Sequence, residues 1–207
     1  ARELSQFNLT IALFERHNDL GMDQTTHSNA MIHPAIQAKY GTLRWEMNYK
    51  GNPMWDETAS QLDVDFKRMG TLIVAENPGE EALLPYAVDA AIKHNDPEPK
   101  LLDRDGLDRI EPGLAPNVRK GVLIWNTGII SVFELLIACA ENALSNGVSI
   151  FLETSVTGVQ TEDFAIKAID TTRGAVKAGI LINAAGLYAD RIAEYAGDRF
   201  FTIHPRK

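Results

Sequence analysis

The sequence feature that most constrains the fold is a junction between a strand and a helix at residues 180–197, ILINAAGLYADRIAEYAG. An apolar run ends at Asn183, three very small residues follow, and apolar residues then recur at helical spacing. Small residues at such a junction allow another backbone or a ligand to approach closely. The junction therefore predicts a strand, a tight turn and a helix. The residues alone do not distinguish between a neighbouring backbone and a ligand as the group that approaches them closely.

A second apolar run, residues 9–15 (LTIALFE), has the composition of a buried parallel strand and ends in an acid, Glu15. Dinucleotide-binding βαβ units place an acid here to bind a ribose hydroxyl, about 20 residues after a glycine-rich fingerprint. Only 14 residues precede Glu15, so that fingerprint would lie upstream of Ala1. The alternative interpretation of Glu15 is a solvated acid at the end of a strand.

Between these two ends the chain mixes helices with isolated strands. Residues 42–62 predict a helix interrupted near 51–53, and residues 78–94 predict a single helix. Ser131 and Glu134 form a capping box at the start of another helix. The predicted apolar stripe of that helix is Phe133, Leu136, Ile137, Ala140 and Leu144. This order of elements indicates an α/β nucleotide-binding type of domain interrupted by an inserted α+β domain.

Composition excludes several classes of function. The net charge of −8 argues against a nucleic-acid-binding surface. No apolar run approaches the roughly 20 residues that span a bilayer, which leaves only peripheral membrane association open. Cys139 is the single cysteine, so no intrachain disulfide can form and a reducing, cytoplasmic compartment is expected. The five histidines form no H-x-x-x-H pair, so no metal site is expected.

Both ends of the sequence predict an internal portion of a longer chain. The first residues, ARELSQFN, lack a Met and have the pattern of the second half of an amphipathic helix. The last residues, FTIHPRK, alternate like a strand and stop without a turn. The absence of a leader peptide in this portion therefore carries no information.

His33 and the pair formed by Arg206 and Lys207 are the other candidates for chemistry. An imidazole has a pKa suited to a general base, although a lone histidine is more often structural or solvated. The basic pair can bind an anionic group, and a solvated basic turn explains it equally well.

Residues 121–148 (GVLIWNTGIISVFELLIACAENALSNGV) and 180–197 together resemble the D-amino-acid-oxidase-like superfamily of FAD-dependent oxidoreductases. The branch that they resemble most contains glycerol-3-phosphate dehydrogenase and L-2-hydroxyglutarate oxidase. Residues 1–21 resemble the segment that follows the family's Gly-rich loop, and residues 41–75 resemble the start of its substrate domain. The resemblance covers essentially the whole chain, in the family's order.

The resemblance implies an α/β fold with a glutathione-reductase-like, Rossmann-type FAD-binding domain. An α+β substrate-binding domain with a mainly antiparallel sheet is expected to interrupt it. Residues 1–46 and 128–196 would form the FAD-binding domain, and residues 47–127 the first part of the substrate domain. Residues 197–207 would begin the return to the substrate domain.

The resemblance also implies roles for single residues. Glu15 matches the acid that holds the ADP ribose, and Val156 matches the residue whose backbone pairs with adenine. His33 matches a position beside the flavin ring on its substrate side and is the only base that we would name. Arg206 and Lys207 are expected to bind the anionic group of the substrate. The residues expected to contact FAD are Glu15, Thr25, Thr26, Ser28, Asn29, Val156, Ala184, Ala185 and Gly186.

The activity implied is oxidation of a small anionic hydroxy compound, such as a hydroxy acid or a glycerol-3-phosphate-like molecule, by hydride transfer to FAD. The alternatives are an amine or amino-acid oxidase on the same fold, or a truncated, non-catalytic flavoprotein fragment. The electron acceptor and the oligomeric state stay open. The sequence departs from the family at His33-Pro34-Ala35, where His-x-Gly is usual, and at Ser28-Asn29-Ala30, where Asn-Ser-Ala is usual. Without the glycine-rich loop, this portion alone is not expected to hold FAD tightly.

Overall fold

The computed structural model describes residues 1–94, 96 and 98–205. They form two compact units. The first unit combines residues 1–28 with the chain from Leu136 onward, and the second is the continuous stretch 29–135. In chain order the strands and helices are β1 (Ala12–Phe14), β2 (Met31–Ile32), α1 (Leu43–Gly51), α2 (Met54–Leu62), β3 (Phe66–Arg68), β4 (Thr71–Ala75), α3 (Pro78–Glu81), α4 (Leu84–Lys93), β5 (Lys100–Leu102), α5 (Arg104–Ile110), β6 (Lys120–Ile124), β7 (Gly128–Ile130), α6 (Val132–Ser145), β8 (Ser149–Phe151), β9 (Val156–Glu162), β10 (Ala165–Thr171), β11 (Gly174–Lys177) and α7 (Ala189–Tyr195).

In the first unit, β1 and β8 form a parallel pair, in which Ala12 lies opposite Ser149 and Phe14 opposite Phe151. The rings of Phe14 and Phe151 stack with their centroids 5.6 Å apart. The pairing continues one residue further, since the Glu15 N–H donates to the Phe151 carbonyl at 2.9 Å. The parallel pairing therefore fixes the backbone of Glu15 at the carboxyl end of β1.

The first unit also contains an antiparallel meander of three strands in the order β11-β10-β9. Its first turn consists of Asp163 and Phe164, which both have positive φ angles, 49° and 60°. Two central residues with positive φ define the tight turn whose twist matches a two-stranded hairpin. On β10, Ala168 and Ile169 are buried. The geometry of this turn therefore sets how β9 pairs with β10.

The second unit is built on two antiparallel sheets of three strands, in the orders β2-β7-β3 and β4-β6-β5. The central strand β6 is almost fully buried. A Cβ atom at Gly121 would lie 2.8 Å from the Ile73 carbonyl oxygen, so β6 can approach β4 this closely only with glycine there. The core cluster consists of Ala75, Leu84, Ala91, Val122 and Ile124. The hydrophobic core of this unit therefore lies between α4 and the β4-β6-β5 sheet.

The predicted interrupted helix over residues 42–62 is present as α1 and α2, with the Thr42 hydroxyl accepting from the Trp45 N–H at 3.3 Å. The single helix predicted over residues 78–94 is wrong, because the structure divides it into α3 and α4. Pro85 has no N–H to donate to the carbonyl of Glu81, four residues earlier, so the helix cannot continue through this point.

Two further predictions about local structure are wrong within the described residues. The apolar run at residues 180–182 forms no strand, and Ile180 and Ile182 are 77% and 61% exposed. On α6, Phe133 and Ile137 of the predicted apolar stripe are more than half exposed, as is Leu144. Residues 180–182 have no strand beside them among the described residues, and an apolar run forms a strand only when it pairs with a neighbouring strand.

The two compact units meet in sequence at 28/29 and at 135/136. The domain boundaries predicted from the resemblance lie at 46/47 and 127/128, and they stay a prediction. The observed units and the predicted domains agree that a middle segment of the chain is inserted between two parts of another domain. The predicted α/β class is confirmed, with one parallel pair in the first unit and antiparallel sheets in the second.

Three features of the described residues concern membrane spans, metal ligands and the single cysteine. None of its helices combines the length and the apolar character needed to cross a bilayer. No group of three or more His, Cys, Asp or Glu side chains within 1–94, 96 and 98–205 is placed to hold a metal ion. Cys139 is half-buried, and burial raises the pKa of its thiol, which disfavours the reactive thiolate.

Candidate functional site

Glu15 presents an oriented carboxylate at the end of β1. The side chain is half-buried, and its Oε1 accepts a hydrogen bond from the His17 backbone N–H at 2.8 Å. The Glu15 carbonyl accepts from the Thr154 N–H at 2.8 Å, which fixes the backbone on the other side. No described residue donates to Oε2. The carboxylate therefore keeps one oxygen that can accept a hydrogen bond from a ligand hydroxyl.

The loop that follows β1 is held together by Asp23. Its carboxylate accepts two hydrogen bonds from the Arg16 guanidinium at 2.8 and 2.9 Å, and its Oδ2 lies 3.2 Å from the His17 Nε2. Burial alone would raise the pKa of Asp23, but the hydrogen bonds and charge of Arg16, together with His17, hold that pKa below its usual range. The loop is therefore closed by a charged pair that stays ionised at neutral pH.

Arg16 also connects this loop with the chain that precedes α7. Its guanidinium carbon lies 4.0 Å from the ring centroid of Tyr188, a cation–π distance, and Arg191 lies 5.4 Å from the same ring. The residue before Arg16 is Glu15, and Tyr188 lies two residues after Gly186. The structure therefore brings the Glu15 segment together with the Ala-Ala-Gly segment. Sequence reasoning missed Arg16, because its partner lies far away along the chain.

The Ala184-Ala185-Gly186 segment has the tight turn that the sequence predicts. Gly186 has a φ of +53°, and no heavy atom comes within 4 Å of the position that a Cβ would take. The Asn183 side chain secures the turn, since its Nδ2 donates to the Ala189 carbonyl at 2.7 Å and its Oδ1 accepts from the Ala185 N–H at 3.3 Å. Gly186 therefore does not serve close packing against the described chain, and the space beside it is open to a ligand.

The other residues expected to contact the cofactor have less distinctive surroundings. Thr26 donates from its hydroxyl to the Gly21 carbonyl at 2.5 Å, while Thr25 is exposed. Val156 begins β9, half-buried and opposite Thr171. Ser28 ends the first segment of unit one and is exposed, and Asn29 begins the second unit, where its Oδ1 accepts from the Met31 N–H at 3.2 Å.

His33 lies in the second unit, directly after the short strand β2. It lines a cavity of about 290 Å³ together with Asn48 of α1, Trp55 of α2 and Asn52 of the connection between these helices. The His33 Nδ1 is shielded from solvent and has no hydrogen-bond partner among the described residues. A buried imidazole nitrogen without a partner is costly, and because the Nδ1 is shielded from solvent, a molecule in the cavity would have to bond the other ring nitrogen.

The sequence-predicted site residues thus fall into three groups. Glu15, the loop after it and the Ala184–Gly186 turn come together in the first unit. Val156 also belongs to the first unit, whereas His33 and Asn29 belong to the second. The predicted anion-binding pair, Arg206 and Lys207, lies outside the described residues.

The first-unit residues fit the ADP-ribose part of a dinucleotide. A ribose hydroxyl can donate to the open Oε2 of Glu15. Open space at a glycine beside a helix allows the backbone to approach a pyrophosphate or sugar closely. The second-unit cavity is small and contains one imidazole, which suits a small molecule with a transferable proton.

Comparison with known proteins also indicates a dinucleotide cofactor. The profile of the DAO family, described as FAD dependent oxidoreductase, matches residues 1–207. Glycerol 3-phosphate dehydrogenase of Caloramator mitchellensis is 37% identical over 207 residues, which is 100% of this chain and 43% of that protein. Glycerol 3-phosphate oxidase of Mycoplasma genitalium is 30% identical over 94% of this chain and 52% of that protein. The chain spans about half the length of these curated relatives.

Solved structures show the same architecture. L-alpha-glycerophosphate oxidase from Mycoplasma pneumoniae, with FAD bound, has a TM-score of 0.87 at 27% identity, over 95% of this chain and 53% of that one. Glycine oxidase from Bacillus cereus has a TM-score of 0.82 at 18% identity, over 94% of this chain and 53% of that one, a likeness of fold alone. The predicted fold class, an α/β architecture like that of DAO-family oxidoreductases with an inserted unit of mainly antiparallel sheet, is therefore confirmed.

Proposed function

The chain belongs to the DAO family of FAD-dependent oxidoreductases, and from this we propose that it forms about half of an FAD-dependent dehydrogenase or oxidase of a small anionic hydroxy compound. The observation that carries the proposal is the 37% identity to a glycerol 3-phosphate dehydrogenase along the whole chain. A glycerol 3-phosphate oxidase is similar over nearly the same range. We place the protein in the cytoplasm, a proposal supported by its single cysteine.

In this proposal the first unit holds the cofactor. Glu15 binds the ribose with the carboxylate oxygen that no described residue occupies, and the Ala184–Gly186 turn passes close to the ADP moiety. Val156 and the loop residues Thr25, Thr26, Ser28 and Asn29 complete the proposed contacts. The predicted division into a FAD-binding domain, 1–46 with 128–196, and a substrate domain beginning at 47 is part of the same proposal.

His33 is the proposed general base. When bound, FAD supplies the two-electron acceptor that takes a hydride from the carbinol carbon of the substrate. The proton of the substrate hydroxyl passes to an imidazole nitrogen of His33, and the electron pair of the broken O–H bond completes the carbonyl of the product. Arg206 and Lys207 are proposed to bind the phosphate or carboxylate and so set the orientation of the carbinol.

A substrate panel on the full-length protein tests the proposed reaction. Glycerol 3-phosphate, 2-hydroxyglutarate and glycine derivatives are each mixed without oxygen, and loss of the oxidised-flavin absorbance is followed. We expect glycerol 3-phosphate or 2-hydroxyglutarate to bleach the flavin. Bleaching by glycine derivatives alone would favour an amino-acid oxidase. A colourless protein that stays colourless with added FAD would support a non-catalytic fragment and overturn the proposal.

Glu15→Gln removes the charge from the proposed ribose acceptor while keeping an oxygen that can accept from the His17 N–H. We expect the Kd for FAD to rise about 10- to 100-fold, because a hydrogen bond to a charged group contributes roughly 1.5–3 kcal/mol. Titration of the apoprotein with FAD measures this change. The control is Glu141→Gln, the same substitution on an exposed position of α6, which should leave the Kd unchanged. A Kd for Glu15→Gln within twofold of the wild-type value would remove Glu15 from the site.

A further inference from the structure

Asn52 is a buried polar residue in the connection between α1 and α2. Only 8% of its surface is exposed, and its backbone is helical, with φ −58° and ψ −47°. Its backbone N–H donates to the Asn48 carbonyl at 2.9 Å, as the last bond of α1. Asparagine is an unfavourable choice for a buried position unless its side-chain amide is bonded, so the partners of this amide indicate what the residue does.

Both hydrogens of the Asn52 amide are used to hold two other segments. The Nδ2 donates to the His33 carbonyl at 2.8 Å and to the Asn126 carbonyl at 2.8 Å. The Oδ1 accepts from the Arg68 Nη1 at 2.8 Å. Rotating the amide by half a turn would face an oxygen to two carbonyls and a nitrogen to a guanidinium. The partners therefore determine the orientation of the amide, and each of its groups is bonded.

Arg68 holds the Asn52 side chain from the opposite direction. Its Nη2 donates to the Asn52 carbonyl at 2.9 Å and to the Asp56 Oδ2 at 2.6 Å. The hydrogen bond from Arg68 is the main reason that the pKa of Asp56 lies below its usual range, although burial opposes it. A guanidinium bonded to both a carboxylate and the Asn52 oxygen polarises that amide and strengthens the two bonds that its nitrogen donates.

The Asn126 segment is fixed independently of Asn52. The Asn126 and Trp125 N–H groups donate to the Asp96 Oδ2 at 2.9 and 2.7 Å. By contrast, His33 follows a strand of only two residues and precedes Pro34, which has no N–H. The carbonyls of His33 and Asn126 both point at the same nitrogen, and two carbonyl oxygens this close would repel each other without a donor between them.

We propose that Asn52 is the positioning residue of His33: by tying the His33 carbonyl to the fixed Asn126 segment, it sets where the imidazole lies in the second-unit cavity. The proposal rests on the proposed role of His33 as a base. It follows from the contacts of His33, since Asn52 bonds the His33 carbonyl and both residues line the same cavity. Asn52 itself transfers no proton.

Asn52→Asp is the sharpest test, because it keeps the oxygen that Arg68 bonds but replaces the nitrogen that donates to the two carbonyls with a charged acceptor oxygen. The matched control is Asn77→Asp, since Asn77 uses its Oδ1 as an acceptor for the Glu80 N–H and an aspartate does the same. Hydrogen exchange of the full-length protein is the first readout. We expect amides in residues 29–36 to exchange at least 10-fold faster in Asn52→Asp, with β4 and β6 unchanged and Asn77→Asp like wild type.

Flavin reduction is the second readout, in a double-mutant cycle with His33→Ala. We expect Asn52→Asp alone to slow reduction about 10- to 100-fold and to add less than twofold in the His33→Ala background, because it acts through His33. Asn52→Ser, which keeps one short donor and adds no charge, is measured in the same way and decides the question if the aspartate variant does not fold.

The two readouts separate the two proposals. Unchanged exchange of residues 29–36 in a folded Asn52 variant would overturn the positioning role, and so would fully additive effects in the cycle. Faster exchange in a protein whose wild type reduces no flavin would show that Asn52 fixes this segment while the proposed reaction is wrong.

Discussion

Replacing His33 by alanine in the full-length protein is expected to lower the rate of flavin reduction by substrate about 100- to 10,000-fold, with FAD still bound. The imidazole is the only side chain that we assign to accept the hydroxyl proton, and its Nδ1 is buried without a partner among the described residues. Without an acceptor for that proton, the carbinol must lose its hydride from the unfavourable neutral alcohol. Stopped-flow reduction of the bound flavin under anaerobic conditions measures the effect.

Rescue and pH dependence distinguish a lost base from a damaged cavity. Added imidazole should restore part of the rate in His33→Ala, because the deleted side chain leaves room for it within a cavity of about 290 Å³. If His33 is the base, one limb of the wild-type pH–rate profile should be absent from the profile of this variant. Normal FAD content with an unchanged reduction rate would exclude His33 from proton transfer.

Asp96→Ala is expected to destabilise the second unit by about 3 kcal/mol or more. Asp96 is 7% exposed, and its carboxylate accepts from the N–H groups of Trp125, Asn126 and Glu98 at 2.7, 2.9 and 3.3 Å. Its removal leaves the part-buried N–H groups of Trp125 and Asn126 without their acceptor, and a hydrogen bond to a charged group contributes roughly 1.5–3 kcal/mol. Urea denaturation followed by tryptophan fluorescence reports the loss, since Trp45, Trp55 and Trp125 all lie in residues 29–135.

Two related variants make the Asp96 measurement specific. Asp96→Asn keeps one acceptor oxygen and should lose clearly less stability than Asp96→Ala. Asp89→Ala replaces an exposed aspartate on α4 and should change the free energy of unfolding by no more than about 0.5 kcal/mol. Equal stability of Asp96→Ala and wild type would mean that other groups accept hydrogen bonds from the Trp125 and Asn126 N–H groups.

The sequence was informative where neighbours along the chain decide the structure. The interruption of the α1–α2 region was predictable because Gly51, Asn52 and Pro53 disfavour a continuous helix. Glu15 was placed correctly at the end of a strand, because an apolar run that ends in an acid is a local signal. The break at Pro85 was equally local, and a strict application of proline geometry would have found it.

Distant partners account for what the sequence did not reveal. Asn52 bonds the carbonyls of His33 and Asn126, and neither partner has a sequence signal that points to Asn52. Arg16 and Tyr188 meet from opposite ends of the chain in the same way. The run at 180–182 failed for a related reason, since strand formation depends on a neighbouring strand rather than on the run itself. The roles of the candidate site residues stay predictions.

The insertion of residues 29–135 between β1 and β8 has a consequence for how the protein is made. On a ribosome β1 emerges early, but its hydrogen-bond partner β8 emerges only after the whole second unit has been synthesised. The second unit is continuous and contains its own core, so it can fold before β8 is available to pair with β1. Closing the long loop between β1 and β8 then costs less, because a folded insert brings fewer disordered residues into that loop than an unfolded one. Folding of the inserted unit during synthesis thus lowers the entropy cost of pairing β1, which ends just before Glu15, with β8.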